Sequence, residues 1–114
     1  MDDCIFCKIV AGELPSDIIY QDDELIAFSD INPLAPVHIL VVPKEHIASL
    51  IELAGTDSSI VAKMTAAANR LAEREDVSGS GYRLVINCGE QGGQAVAHLH
   101  MHLLGGRQLS GVLG

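Results

Sequence analysis

Three of the five histidines alternate with apolar residues in His98-Leu99-His100-Met101-His102-Leu103-Leu104. Period two is the signature of a β-strand with one buried face. Leu99, Met101 and Leu103 then point into a core, and the imidazoles form a row on the opposite face. Same-face residues lie roughly 6.5–7 Å apart along a strand. A solvated face rich in histidine is the bland reading of one such residue, and a poor reading of three in strict alternation. Two chemistries remain. Neutral imidazole is the commonest metal ligand, and an unprotonated imidazole nitrogen can attack carbonyl or phosphorus and form a covalent intermediate.

Other reactive residues bear on that choice. Cys4 and Cys7 have the C-x-x-C spacing of half a zinc site. Two further ligands would be needed, with His46, Cys88 and one histidine of the row as candidates. A redox pair or two unconnected thiols are the rivals, and Cys88 reads more simply as an inert small residue. Gly89-Glu90-Gln91-Gly92-Gly93-Gln94 immediately precedes the histidines. Glycines let backbone N–H groups converge on an anion, although a plain hairpin loop has the same composition. Asn87 can hold an imidazole or a phosphate oxygen, or end a strand as a turn residue. His38 lies in an otherwise apolar run, where a lone histidine is usually a satisfied core residue. Asp30 precedes Asn32-Pro33 as a turn residue would, yet a carboxylate at a pocket rim accepts both hydroxyls of a ribose.

Composition limits what these groups can serve. At 114 residues the chain is read as one domain over positions 1–114, and 48% hydrophobic content predicts a packed globule. A formal charge of −8 argues against a nucleic-acid backbone as partner, which wants a basic surface. A small anion held by local donors is compatible with it. Met1-Asp2-Asp3-Cys4 lacks the basic and apolar regions of a signal peptide, and no apolar run reaches the ~18–20 residues of a membrane span. Three cysteines do not make a disulfide framework. The expectation is a soluble cytoplasmic protein without membrane partners.

The elements that must position the site follow from pattern. Cys4 to Val10 reads as a short helix or turn ended by Gly12 and Pro15. Strands are expected over 17–20 and 25–30, joined by a polar turn, and over Val37-His38-Ile39-Leu40-Val41-Val42-Pro43. A short helical piece near 49–53 precedes the longest helix, which Thr56 or Asp57 can cap and which should run to about Arg74. Ile60, Val61, Met64, Ala67, Ala68 and Leu71 form its buried stripe. A strand over 82–87 then leads through the glycine loop into the histidine strand, 98–104. Hairpin-connected strands with few helices predict an α+β fold, an antiparallel sheet with helices on one face.

Taken together these residues resemble the histidine-triad (HIT) nucleotide-binding family, whose signature alternates histidine with apolar residues in the same way. Cys4-Ile5-Phe6-Cys7-Lys8-Ile9, Ala27-Phe28-Ser29-Asp30-Ile31, His38 to Lys44, Tyr82 to Asn87 and Gly92-Gly93-Gln94 look like further landmarks, in the expected order. Gly105-Gly106-Arg107-Gln108 is similar to the phosphoramidase branch rather than to the diadenosine-polyphosphate hydrolases. The resemblance implies a HIT-like fold with a five-stranded antiparallel sheet, and a homodimer joined into a ten-stranded sheet through Tyr82 to Asn87 and the long helix. It implies a purine nucleoside monophosphate pocket, with Asp30 on the ribose and Ile5, Phe6, Phe28 and Ile31 around the base. His100 matches the nucleophile. His38, His102 and Asn87 match residues that bind phosphate or position the nucleophile, and Gly93, Gln94 and Ala95 match the loop that meets the phosphate.

The implied reaction is hydrolysis of a purine nucleoside phosphoramidate through a nucleotidyl-histidine intermediate. A free nucleophile must stand clear of any metal. If zinc binds, the resemblance therefore implies a closed structural site of Cys4, Cys7, His46 and His98. No organic cofactor is called for. Ala95 stands where family members commonly carry serine. Losing one such donor would slow turnover by about 10²–10³-fold if it acts like an oxyanion donor. The tail Leu109 to Gly114 lacks the tryptophan-containing ending of some relatives, which shapes the leaving-group side. The rivals are a dinucleoside polyphosphate hydrolase, a nucleotide-binding scaffold with vestigial hydrolysis, and a zinc hydrolase with the whole row on metal. The last lacks an assignable general base.

Overall fold

The computed structural model describes residues 3–55 and 58–114. Helix α1 (Ile5–Val10) comes first, then strands β1 (Ile18–Gln21), β2 (Leu25–Ser29) and β3 (Val37–Pro43). A 3-10 turn (Leu50–Leu53) leads to helix α2 (Ser59–Arg74), followed by β4 (Tyr82–Val85) and β5 (Met101–Gly105). All neighbouring strands are antiparallel, in the order β1-β2-β3-β5-β4. Among the described residues no helix is long and apolar enough to cross a membrane.

Two apolar layers flank the sheet, and strand parity sorts residues between them. Leu25, Ala27, Ile39, Val41, Met101 and Leu103 face α2, where Met64, Ala67, Ala68, Leu71 and Ala72 close the larger core. The alanines bring the helix near the strands, as the expected stripe requires, with Ile60 packed at its edge. Ile26, Phe28, Leu40 and Val42 point the other way and are covered by Phe6 and Ile9 of α1. β2 and β3 are therefore buried on both faces, which accounts for their unbroken apolar runs.

The boundaries carry the corrections. The histidine strand does not span 98–104: its ladder begins at Met101, paired with Val41, and ends at Gly105, paired with Val37. The partner strand runs out at Pro43, which has no N–H to offer, and the Pro43 carbonyl accepts from the His98 ring instead (2.8 Å). Leu99 is held by its own N–H on the Ile47 carbonyl (2.6 Å). Alternation survives outside the ladder, since Leu99, Met101 and Leu103 are all 3% exposed or less. β4 in turn stops at Val85, opposite His102, rather than at Asn87. β1 is shifted to Ile18–Gln21, and β2 ends at Ser29, one residue before Asp30. The caps expected at Thr56 and Asp57 lie outside the described residues. Ser58 occupies the N-cap position, and its side chain makes no capping bond.

Candidate active site

The face of β3 and β5 away from α2 carries His38, opposite Leu104, and His102, opposite Leu40. His98 and His100, just before β5, continue that face and are buried. Phe6, projecting from α1, lies edge-on to His100, His98 and Phe28 with ring centroids 5.1, 5.8 and 5.5 Å away. A short helix thus seals one flank of the row and divides it into two environments.

At the first end Cys4, Cys7, His46 and His98 converge, with one donor atom from each within 4.8 Å of the others. Cys4 Sγ is 3.2 Å from His98 Nδ1, and Cys7 Sγ is 3.2 Å from His46 Nδ1 and 3.6 Å from His98 Nδ1. Cys4 is the N-cap of α1, and its sulfur accepts the Cys7 backbone N–H (3.4 Å). The His98 tautomer follows from its other neighbour. A carbonyl only accepts, so Nε2 carries the proton donated to Pro43, and Nδ1 turns its lone pair toward the sulfurs. Burial, and after it the adjacent Cys4, raise the Cys7 thiol above its ordinary range. Burial lowers His98, the Pro43 carbonyl partly opposing it. Two thiol sulfurs and two imidazole nitrogens suit zinc, and a ring nitrogen oriented by a carbonyl is the usual outer support of such a ligand. Cys88 is exposed and takes no part.

At the other end lies a cleft of about 520 Å³. Ile5, Phe6, Phe28 and Ile31 line its apolar part, and Asp30, Ala95, His100 and His102 its polar end. His100 donates from Nδ1 to the His98 carbonyl (2.7 Å), leaving Nε2 as the basic nitrogen of a ring in the cleft wall. His38 stands behind the wall, its side chain 1% exposed. The Leu34 N–H donates to His38 Nδ1 (3.0 Å), so the His38 proton is on Nε2. That Nε2–H faces His102 Nδ1 at 2.9 Å, with Asp30 Oδ2 at 3.4 Å. His102 accepts at Nδ1 and therefore carries its own proton on Nε2.

Those assignments disfavour a second metal at Asp30, His38 and His102, although one donor atom from each lies within 4.8 Å of the others. Binding there would need a lone pair on His38 Nε2, while Leu34 already occupies Nδ1. Burial, followed by neighbouring His100 and His38, depresses His102 to about 4 despite Asp30. Burial also lowers His38, again against Asp30. Both rings are neutral at pH 7. His102 is then a hydrogen-bond donor and not an acid.

The glycine loop departs from its expected role in detail. Gly93 and Gln94 give their backbone N–H groups to the Glu90 and Gly89 carbonyls (3.0 Å each), closing the turn on itself. The Gln94 side chain accepts from Gly89 N–H (2.9 Å) and donates to the carbonyls of Ala48 (2.8 Å) and Val96 (2.9 Å). It ties the loop to the segment following His46 and does not face the cleft. Asn87 lies beside Gly93, outside the cleft wall. Sequence reasoning missed Ile9, Leu14 and Val96 in the wall. Ile9 follows Ile5 and Phe6 by one helical turn, a spacing that could have revealed it.

Comparison with known proteins agrees with this geometry. The HIT domain model matches residues 11–109. A protein of Escherichia coli K12 named purine nucleoside phosphoramidase is 45% identical over 112 residues, covering 98% of this chain and 94% of that protein. The solved HIT family hydrolase from Clostridium thermocellum superposes with a TM-score of 0.95 at 48% identity, covering 99% of this chain and 98% of that one. A zinc-bound histidine triad protein from Mycobacterium smegmatis superposes with a TM-score of 0.80 at 33% identity, covering 93% of this chain and 76% of that one. With the family model spanning most of its length and the histidine row in place, this chain belongs to the HIT domain family.

Proposed function

We propose that this chain is a hydrolase of purine nucleoside 5′-phosphoramidates that acts through a nucleotidyl-histidine intermediate. One observation carries the reading: the His98 carbonyl occupies His100 Nδ1, which leaves a basic Nε2 on a ring lining a cleft with an apolar end and a carboxylate. The base would lie among Ile5, Phe6, Phe28 and Ile31, and the ribose hydroxyls would meet Asp30. His100 Nε2 attacks the α-phosphorus and the P–N bond breaks. The amine leaves with that electron pair and a proton from solvent. Water then attacks the phosphorus, loses a proton to solvent, and returns the electron pair to His100, releasing the nucleoside monophosphate. His102 Nε2–H would stabilise a phosphoryl oxygen as charge gathers there, the term that usually contributes most. His38 holds His102, and Asn87, Gly93 and Gln94 would shape the phosphate loop. The relative named phosphoramidase supports this substrate class.

Cys4, Cys7, His46 and His98 would hold a structural zinc ion. Bound there, zinc would supply crosslinking and no catalytic water, because all four ligand positions are filled by protein. Two copies would pair through β4, an edge strand half-buried along its length, which size-exclusion chromatography with light scattering checks. Ala95 favours a second reading, a nucleotide-binding protein with vestigial turnover, since it offers no hydroxyl to the phosphate. Release of adenosine monophosphate from adenosine 5′-phosphoramidate separates the two. Turnover in the wild type that is lost in His100→Ala supports the hydrolase. Monophosphate binding without turnover supports the second reading.

A further inference from the structure

We propose that Arg107 is a positioning residue, which, through the backbone of Leu34, fixes the tautomers of His38 and His102 so that His102 presents Nε2–H to the cleft. The guanidinium of Arg107 donates to the Leu34 carbonyl (2.8 Å), and the Leu34 N–H donates to His38 Nδ1 (3.0 Å). His38 Nε2 meets His102 Nδ1 at 2.9 Å. Three contacts thus connect an exposed arginine beyond β5 to a ring in the cleft wall. The first two contacts have one direction only, and the ring-to-ring contact takes its direction from the Leu34 N–H on His38. A guanidinium cannot accept, a carbonyl cannot donate, and a peptide N–H cannot accept, so proton positions are dictated down the chain.

Ala35 is the one buried residue of segment 31–36, and Ile31, Asn32, Pro33 and Leu34 are all exposed, so polar contacts must fix the Leu34 peptide. Besides the buried Ala35, three contacts anchor the segment. Asp30 Oδ1 accepts the Asn32 N–H (2.9 Å) at one end. At the other, Gly106 packs on Pro36 with positive φ, and a Cβ there would meet the Pro36 Cβ at 2.9 Å. Arg107 is the anchor at Leu34 itself. If Leu34 N–H moved off His38, the pair could invert: His38 would carry its proton on Nδ1, and His102 would donate from Nδ1 and show a lone pair to the cleft. A lone pair repels a phosphoryl oxygen where a donor stabilises it. Asp30 Oδ2 also favours a proton on His38 Nε2. On the proposed function, however, a bound ribose draws on that carboxylate, and Leu34 then carries the constraint.

Nitrogen-15 NMR of the histidine rings reads tautomers directly and needs no activity. It is applied to full-length wild type, Arg107→Ala and Arg107→Lys, with and without adenosine monophosphate. Wild-type His38 and His102 are expected to be unprotonated at Nδ1 and protonated at Nε2. Arg107→Ala should show His102 averaging between tautomers. Its kcat for adenosine 5′-phosphoramidate should fall about tenfold, the effect of about one hydrogen bond, with KM changed less than about twofold. Arg107→Lys, which keeps a donor, should restore most of both. Wild-type His102 protonated at Nδ1, or Arg107→Ala with wild-type ring signals, overturns the proposal. The expected tautomers in a wild type that turns nothing over would refute the phosphoramidase reading and leave the tautomer lock standing.

Discussion

The two ends of the histidine row use one residue type for opposite purposes, and the backbone decides which. His98 donates from Nε2 to the Pro43 carbonyl and turns Nδ1 toward two sulfurs. Two residues later, His100 donates from Nδ1 to the His98 carbonyl and keeps Nε2 basic. Two further on, His102 accepts at Nδ1 from His38 and keeps Nε2 as a donor. The tautomer alternates along the row, as the proposed ligand, nucleophile and donor in turn require. An imidazole's chemistry is set by what occupies its other nitrogen, and here those occupants are mostly peptide carbonyls and N–H groups.

Substitutions should break this division unequally. His100→Ala should lower phosphoramidate turnover by about 10⁴-fold or more, the scale seen when a covalent nucleophile is removed, while tryptic mapping and zinc content stay those of the wild type. Ala95→Ser should raise kcat by about 10²–10³-fold if a hydroxyl there acts as a phosphoryl donor. No change in steady-state rates would show that water already fills that role. At the metal end, Cys7→Ser should abolish stoichiometric zinc by elemental analysis. It should also lower unfolding free energy by about 4 kcal/mol, the linkage expected of an ion at a thousand times its Kd. Denaturant titration checks this, and equal stability with and without chelator would remove zinc from the account.

The smallest effect concerns acid. His102 has a folded pKa near 4, below its ordinary value of 6.5. The unfolded chain therefore binds this proton first as pH falls. The stability it contributes is complete above about pH 6.5 and is lost as pH falls through about 4. His38, shifted in the same direction by burial, adds to that loss. The stability difference between wild type and His102→Asn should shrink between pH 6.5 and 4 in urea titrations. A constant difference would contradict the neutral, buried ring.

How much of this the sequence discloses differs between the two ends as well. Side-chain type and spacing expose Cys4 and Cys7, the three row histidines, and the parity that sends Leu99, Met101 and Leu103 to the core. Long-range pairing through the sheet is visible only as a resemblance, and His46 is joined to Cys7 across 39 positions. Alternation alone places the start of β5 at His98, because the cause of its later start at Met101 lies in another strand, where Pro43 ends the ladder. The resemblance places Gln94 at the phosphate, yet its amide is taken up by the Gly89 N–H and two carbonyls. Leu34 gives no side-chain sign at all, since its contribution is a peptide N–H. Proline apart, backbone donors and acceptors are the same at every position, so a string of side chains cannot say which of them meets a ring.

The most direct test of the divided row is to locate the covalent intermediate. Wild-type protein is mixed with excess adenosine 5′-phosphoramidate and quenched within the first turnover, then digested and mapped by mass spectrometry. The account predicts one adenylyl group, on His100, with His98 and His102 unmodified. An adduct on either of those rings, or turnover with no adduct at any quench time, would contradict it.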